Sequence, residues 1–206
     1  MSFYSRLNGN DEETNPTTIN AIKQFVDSGC ITNIHYVISK DNIDEAIYRL
    51  EKSIFPNGIN AVVFLLYKPV GLGKREKMLD GLDERYRKFI RLATRKRYPF
   101  KVGFDTCQTP ALKLFGDGIA DESLDFCEAA RFSMYIDCEM NAYPCSFGWD
   151  KEQYSINLSE TTVLKAWQSE KFESFRQFMK DSCRSCGYVG CYNCALDLQI
   201  NVCGLL

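Results

Sequence analysis

The stretch Ile59-Asn-Ala-Val-Val-Phe-Leu-Leu-Tyr67 is apolar almost throughout and is closed by Pro69 and Gly71. So continuous a run, too short for a core helix and rich in branched and aromatic residues, reads as a buried strand. Outward from it, Ile31-Thr-Asn-Ile-His-Tyr-Val-Ile-Ser39 reads as an earlier strand, and Phe100 to Phe104, after Pro99, as a later one. Helical spacing lies between and before them. Ile19, Ile22 and Phe25–Val26 form a stripe from Thr17 to Ser28, ended by Gly29. Ile43, Ala46–Ile47 and Leu50 form a second from Ile43 to Ser53, and Leu82, Tyr86, Phe89–Ile90 and Ala93 a third from Leu82 to Arg95. Helices alternating with nearly continuous apolar strands imply an α/β fold with a parallel sheet covered by helices.

After residue 106 the pattern changes. Short segments around Glu139-Met140-Asn141 suggest a hairpin between Arg131–Asp137 and Ala142–Phe147. Thr162 to Met179 reads as one helix with a wide aromatic stripe, and Trp167 and the Phe172–Phe178 stripe read as core. We place a domain boundary near 106, with residues 1–15 as a frayed N-terminus, 16–106 as the α/β part and 107–206 as a cysteine-rich α+β domain.

The chain has 206 residues, 45% hydrophobic and 25% charged, which allows one good core or a core with a satellite. A net charge of −2 gives no general attraction to nucleic acid or anionic membrane. The N-terminus lacks the apolar core of a signal peptide, and no run approaches the ~18 apolar residues of a membrane span. A cytoplasmic location is expected. In a reducing compartment, clustered cysteines are ligands or catalytic groups before they are disulfides.

Ten cysteines are present, and all but Cys30 lie from Cys107 onward. Five fall in the last twenty-four positions, as Cys183-Arg-Ser-Cys186-Gly-Tyr-Val-Gly-Cys191-Tyr-Asn-Cys194 and Cys203. Such a density of soft thiolates suits zinc or an iron–sulfur cluster. Zinc ribbons set their Cys-x-x-Cys pairs about a dozen or more residues apart, whereas here only Gly187 to Gly190 intervene. Close-set runs in which a neighbouring cysteine reaches a second cluster favour iron–sulfur.

These residues resemble a known family. Cys127-Glu-Ala-Ala-Arg131-Phe-Ser133-Met-Tyr135-Ile-Asp137, Tyr143-Pro-Cys145-Ser-Phe147 and Val163-Leu-Lys-Ala-Trp167-Gln-Ser169-Glu-Lys-Phe172 look like the SPASM domain of radical SAM enzymes. Residues 16–106 are similar to the later strand–helix units of that family's partial (β/α) barrel. The resemblance implies two auxiliary [4Fe–4S] clusters, one on Cys107, Cys127, Cys145 and Cys194 and one on Cys183, Cys186, Cys191 and Cys203. It leaves Cys30 and Cys138 over, which read as buried free thiols. It implies an oxidoreductase acting on a peptide or protein with S-adenosylmethionine.

The sequence also departs from the family. Met140 stands where the family has a hairpin glycine, Cys191 and Cys194 are separated by two residues rather than three, and Ser146 replaces the Asp expected of sulfatase maturases. No Cys-x-x-x-Cys-x-x-Cys triplet occurs. The resemblance is therefore to the C-terminal part of such an enzyme, with S-adenosylmethionine used only if a partner chain or missing barrel half supplies the triplet. The alternative is a non-catalytic iron–sulfur or zinc module that binds a peptide or docks on a partner protein. No residue is assigned a catalytic role.

Ser39 and Asn42, after the first strand, and Gly71 and Gly73, after the second, sit at strand C-terminal ends, where parallel sheets bind ligands. They are candidate cofactor-binding positions. Against this, Asp41–Asn42 also suits a helix cap, and Gly71–Gly73 lacks the third glycine of a dinucleotide fingerprint. His35, the sole histidine, reads as a satisfied core residue. The eight Lys and Arg from Arg85 to Lys101 read as the solvated face of an amphipathic helix, with an acidic docking partner as the alternative.

Overall fold

A computed structural model describes residues 2–3, 16–95, 97–181, 194–196, 198 and 202. It divides the chain into two compact units. The first runs to Leu124 and takes in Val202; the second begins at Asp125.

In the first unit, β1 (Ser2–Phe3), β2 (Asn33–Ile38), β3 (Ala61–Leu66) and β4 (Lys101–Phe104) form one parallel sheet in chain order. β1 is a fourth strand, at positions the sequence reading gave to a frayed N-terminus; residues 4–15 of that segment lie outside the described residues. Between the strands run α1 (Pro16–Asp27), α2 (Ile43–Lys52) and α3 (Glu84–Arg95). A helix that sequence periodicity missed, α4 (Thr109–Phe115), follows, with Pro at its first turn, where the missing N–H costs nothing. Its Ala111 and Leu112 are buried in the first core, which carries that unit past residue 106 to Leu124.

The register aligns Tyr36, Phe64 and Phe104 on one face of the sheet. There Phe64 meets the rings of Tyr36 at 5.7 Å, Phe89 at 4.9 Å and Phe104 at 6.1 Å. Ile22, Leu50, Phe89 and Ile90 from the helices pack into the same core. The other face differs from expectation. Successive side chains of a strand alternate, so His35 and Asn33 are exposed while Ile34 and Tyr36 are buried. The core reading of His35 is thus corrected: apolar neighbours in sequence lie on the opposite face. Inside the core, the Arg49 guanidinium donates to Glu45 at 2.7 Å, both side chains at most 5% exposed. Burial, then the Glu45 charge, pushes the Tyr36 phenol far above its ordinary pKa.

The basic helix α3 buries Tyr86, Phe89, Ile90 and Ala93 and exposes Lys88, Arg91 and Arg95, while the Arg87 guanidinium lies 5.2 Å from the Phe115 ring centre. Lys88 pairs with Glu51 at 2.8 Å, Arg85 with Asp44 at 2.9 Å, and Arg95 with Asp117. No helix among the described residues is long and apolar enough to cross a membrane.

The second unit carries the antiparallel sheet β5 (Tyr135–Ile136), β6 (Asn141–Tyr143) and β7 (Ile156–Asn157). The expected hairpin is present, shorter than its sequence segments. The Asp137 carboxylate closes its turn by accepting the N–H groups of Glu139 at 2.9 Å and Asn141 at 2.8 Å. Met140 there has φ +65°, a left-handed backbone that favours glycine.

The single helix expected from Thr162 to Met179 is two: α5 (Val163–Trp167) and α6 (Glu170–Asp181). Ser169 makes the break. Its hydroxyl donates to the Ala166 carbonyl at 2.7 Å and accepts the Phe172 N–H at 3.3 Å, ending one helix and capping the next. Phe172, Phe175 and Met179 are buried with Ala129, Ala130, Ala142 and Ala166. Phe178, expected in the core stripe, is 50% exposed, because on α6 it lies to the side of the face that carries Phe172, Phe175 and Met179.

Candidate metal centre

The second unit brings cysteines from its two ends of sequence onto one small core. Cys127 stands before the tight turn at Ala129–Ala130, whose Ala130 has φ +54°. Cys145 follows β6 at the head of a short 3-10 turn, Ser146–Gly148. Both are half-buried against the core formed with Phe172 and Phe175, as are Ala195 and Leu196, next to Cys194. Cys127 and Cys194 are near enough for the charge of one to act on the other.

The electrostatics at Cys127 suit a metal-bound sulfur. Burial raises its pKa first, and the Ala129 N–H, donating to the sulfur, works against that rise, with Arg131 adding to the opposition. A free thiol in this place stays protonated, whereas bound metal replaces the proton, and the N–H stabilises the resulting thiolate. The donor set is soft sulfur from separated stretches, and in chemistry it fits an iron–sulfur cluster. Among the described residues, no three His, Cys, Asp or Glu side chains stand close enough together to hold a metal ion. Cys183, Cys186, Cys191 and Cys203, the ligands expected for the other cluster, lie outside the described residues.

Cys30 and Cys138 are exposed, not buried as the sequence suggested. Cys30 follows the left-handed Gly29 that ends α1, and Cys138 sits in the exposed hairpin turn.

Cys107 belongs to the first unit, in a 3-10 turn just after β4. Around it is a polar network that the sequence reading missed. The Lys68 ammonium, 7% exposed, donates to Asp105 at 2.6 Å and to the Leu66 carbonyl at 3.2 Å, and it hydrogen-bonds the Cys107 sulfur. Burial alone would lower the pKa of Lys68; Cys107 and Asp105 outweigh it and hold the ammonium above its ordinary value. The same Asp105 carboxylate accepts the Leu66 N–H at 3.0 Å, and buried Gln108 donates to the Phe64 carbonyl at 2.7 Å. The one signal available was position: each residue follows a strand end.

Ser39 and Asn42 follow the C-terminal end of β2, and Gly71 and Gly73 that of β3. Asn42 occupies the N-cap position of α2 but its side chain does not cap; it accepts the Ser39 N–H at 2.7 Å and donates to the Val37 carbonyl at 2.8 Å. It fastens the loop to the strand it leaves. Gly71 has φ +59°, and a side chain on Gly73 would meet the Lys68 carbonyl and the Tyr67 hydroxyl at 2.9 Å. Both glycines are required by the turn itself.

Residues 127–187 match the model of the SPASM family, an iron–sulfur cluster-binding domain. Two solved structures share the fold. The crystal structure of Streptococcus suis SuiB bound to S-adenosylmethionine is 21% identical, with a TM-score of 0.57 over 85% of this chain and 42% of that one. A second crystal structure of Streptococcus suis SuiB is 20% identical, with a TM-score of 0.52 over 79% of this chain and 40% of that one. The chain thus spans about two fifths of the length of the structures it matches. No curated protein matches it. Residues 127–187 therefore carry the likeness to an iron–sulfur cluster-binding domain, and the chain as a whole shares the fold of those two structures.

Proposed function

We propose that this chain is the C-terminal region of a radical SAM/SPASM oxidoreductase that holds two auxiliary [4Fe–4S] clusters and acts on a peptide or protein. The observation that carries the reading is the meeting of Cys127, Cys145 and the Cys194 segment on one core inside the SPASM match, with a backbone N–H directed at the Cys127 sulfur. Cys127, Cys145 and Cys194 would be ligands of one cluster; Cys183, Cys186, Cys191 and Cys203 would hold the other. The clusters, when bound, supply electron transfer at a potential set by their hydrogen bonds and burial. The chain's own residues orient the sulfurs: Ala129 by its N–H, Arg131 by donating to the Cys127 carbonyl at 3.3 Å.

The cleavage of S-adenosylmethionine is assigned to a Cys-x-x-x-Cys-x-x-Cys segment, which these 206 residues do not contain. Soft thiolates also suit zinc, and that donor chemistry carries the second reading, a non-catalytic iron–sulfur or zinc module that docks on a partner. Anaerobic reconstitution separates the two. A brown protein with ~8 Fe supports two clusters, and C127S is then expected to retain ~4; a colourless protein with about two zinc ions sinks the cluster reading. With S-adenosylmethionine and reductant, the chain alone is expected to release no deoxyadenosine.

A further inference from the structure

The second unit contains a cleft of about 290 Å³ whose lining combines Arg131, Arg176 and Lys180 with Phe132, Trp167 and Met179. Among the described residues, no carboxylate lines it. Its geometry is firmly held. Arg176, 17% exposed, donates to the Ala130 carbonyl at 2.6 Å and to the Trp167 carbonyl at 2.7 Å, and its guanidinium lies 4.8 Å from the Trp167 ring centre. Glu173, at 3.0 Å, offsets one positive charge. A guanidinium has five N–H donors, and those of Arg176 beyond these three bonds have no acceptor among the described residues. Ala130, at the foot of the cleft, is held at φ +54°, a strain that recurs where a chain is shaped for a ligand. Phe132 is 77% exposed beneath the Arg131 guanidinium, 5.3 Å from its ring centre. A large exposed aromatic ring lining the same cleft as the remaining Arg176 donors marks a contact surface.

We infer that this cleft is a binding site for a peptide segment that presents a carboxylate next to an apolar or aromatic side chain. The carboxylate matches the guanidinium donors and Lys180. The neighbouring side chain lies against Phe132 and Met179. A volume near 290 Å³ accommodates one or two side chains, not a folded domain. The inference deepens the peptide-directed reading above and rests on it for the choice of a peptide. It names the chemistry of the segment recognised.

The test uses the reconstituted full chain, with its iron content measured first, so that loss of metal is not confused with loss of binding. Calorimetric titration compares acetyl-Gly-Asp-Phe-Gly-amide with its Asn counterpart, acetyl-Gly-Asn-Phe-Gly-amide. The Asp peptide is expected to bind roughly tenfold tighter, with that advantage shrinking in high salt. Phe132→Ala and Lys180→Gln, both at exposed positions and therefore safe for folding, are each expected to weaken it by about three- to tenfold. Equal affinity for the two peptides, indifference to both substitutions, or tighter binding of inorganic phosphate than of the Asp peptide overturns the assignment. A chain that binds no iron yet keeps the Asp preference sinks the cluster reading and leaves this one standing.

Discussion

Phe64 in the first unit touches the rings of Tyr36, Phe55, Phe89 and Phe104, whereas Phe172 in the second has Trp167 as its ring neighbour among the described residues. The contrast extends to the whole of each core. The first is a sheet face sealed by helices, filled by Ile, Leu, Phe and Tyr side chains. The second rests on a few aromatic and methionine side chains among four alanines, Ala129, Ala130, Ala142 and Ala166, which allow backbones to approach but bury little area. Such a core needs other ties. Arg176 supplies one by spanning to Ala130 and Trp167, Asp137 a second by closing the hairpin, and metal-bound cysteines would add more. A small domain that lacks sufficient apolar burial is held by cross-links.

The comparison can be broken most sharply at its two central aromatics. Phe64→Ala and Phe172→Ala should each cost about 3–5 kcal/mol, since both side chains are fully buried. In chemical denaturation of metal-free protein, Phe172→Ala is expected to abolish the transition of the second unit and Phe64→Ala to shift that of the first. Equal tolerance in both would refute the difference drawn between the cores. Next in size, Arg176→Met deprives the Ala130 and Trp167 carbonyls of a charged donor and should cost about 1–3 kcal/mol. The expected signature is a lower melting temperature for the second unit, with Arg176→Lys recovering part of it.

Met140→Gly should act in the opposite direction. Glycine adopts the φ of +65° without strain, so a gain of up to about 1 kcal/mol is expected; a loss would mean that the methionine's contacts outweigh its backbone. The smallest effect concerns pH. The N–H groups of Asn141 and Glu139 hold the Asp137 carboxyl below its usual pKa. Its contribution is therefore complete above the ordinary carboxylate range and disappears as pH falls through the depressed value. Asp137→Asn is expected to lower the melting point at neutral pH and to lose its difference from the parent in strong acid. A difference that persists there would exclude the charge as the cause.

The β3 run from Ala61 to Leu66 was legible because an apolar stretch of that length has few alternatives, and α3 because its stripe repeats at the helical period. The density and spacing of the cysteines pointed toward iron–sulfur chemistry, and residues 127–187 match an iron–sulfur cluster-binding domain. Less legible was everything that depends on direction or distance. His35 lies in an apolar stretch yet faces outward, because alternation along a strand is indifferent to sequence neighbours. One helical stripe became two helices, because the Ser169 hydroxyl competes for backbone groups in a way that periodicity does not register.

By itself the sequence determined the α/β character of the first unit and the sulfur chemistry of the second. Both follow from side-chain type and short-range spacing, which act within a few residues. Only the tertiary structure decided that Lys68 and Asp105 surround Cys107, that Cys127 lies within reach of the Cys194 charge, and that Arg176 joins Ala130 to Trp167. Lys68 and Cys107, Cys127 and Cys194, and Arg176 and Ala130 are distant in sequence, and their meeting is fixed by how the burial of apolar side chains folds the backbone, which no local pattern encodes.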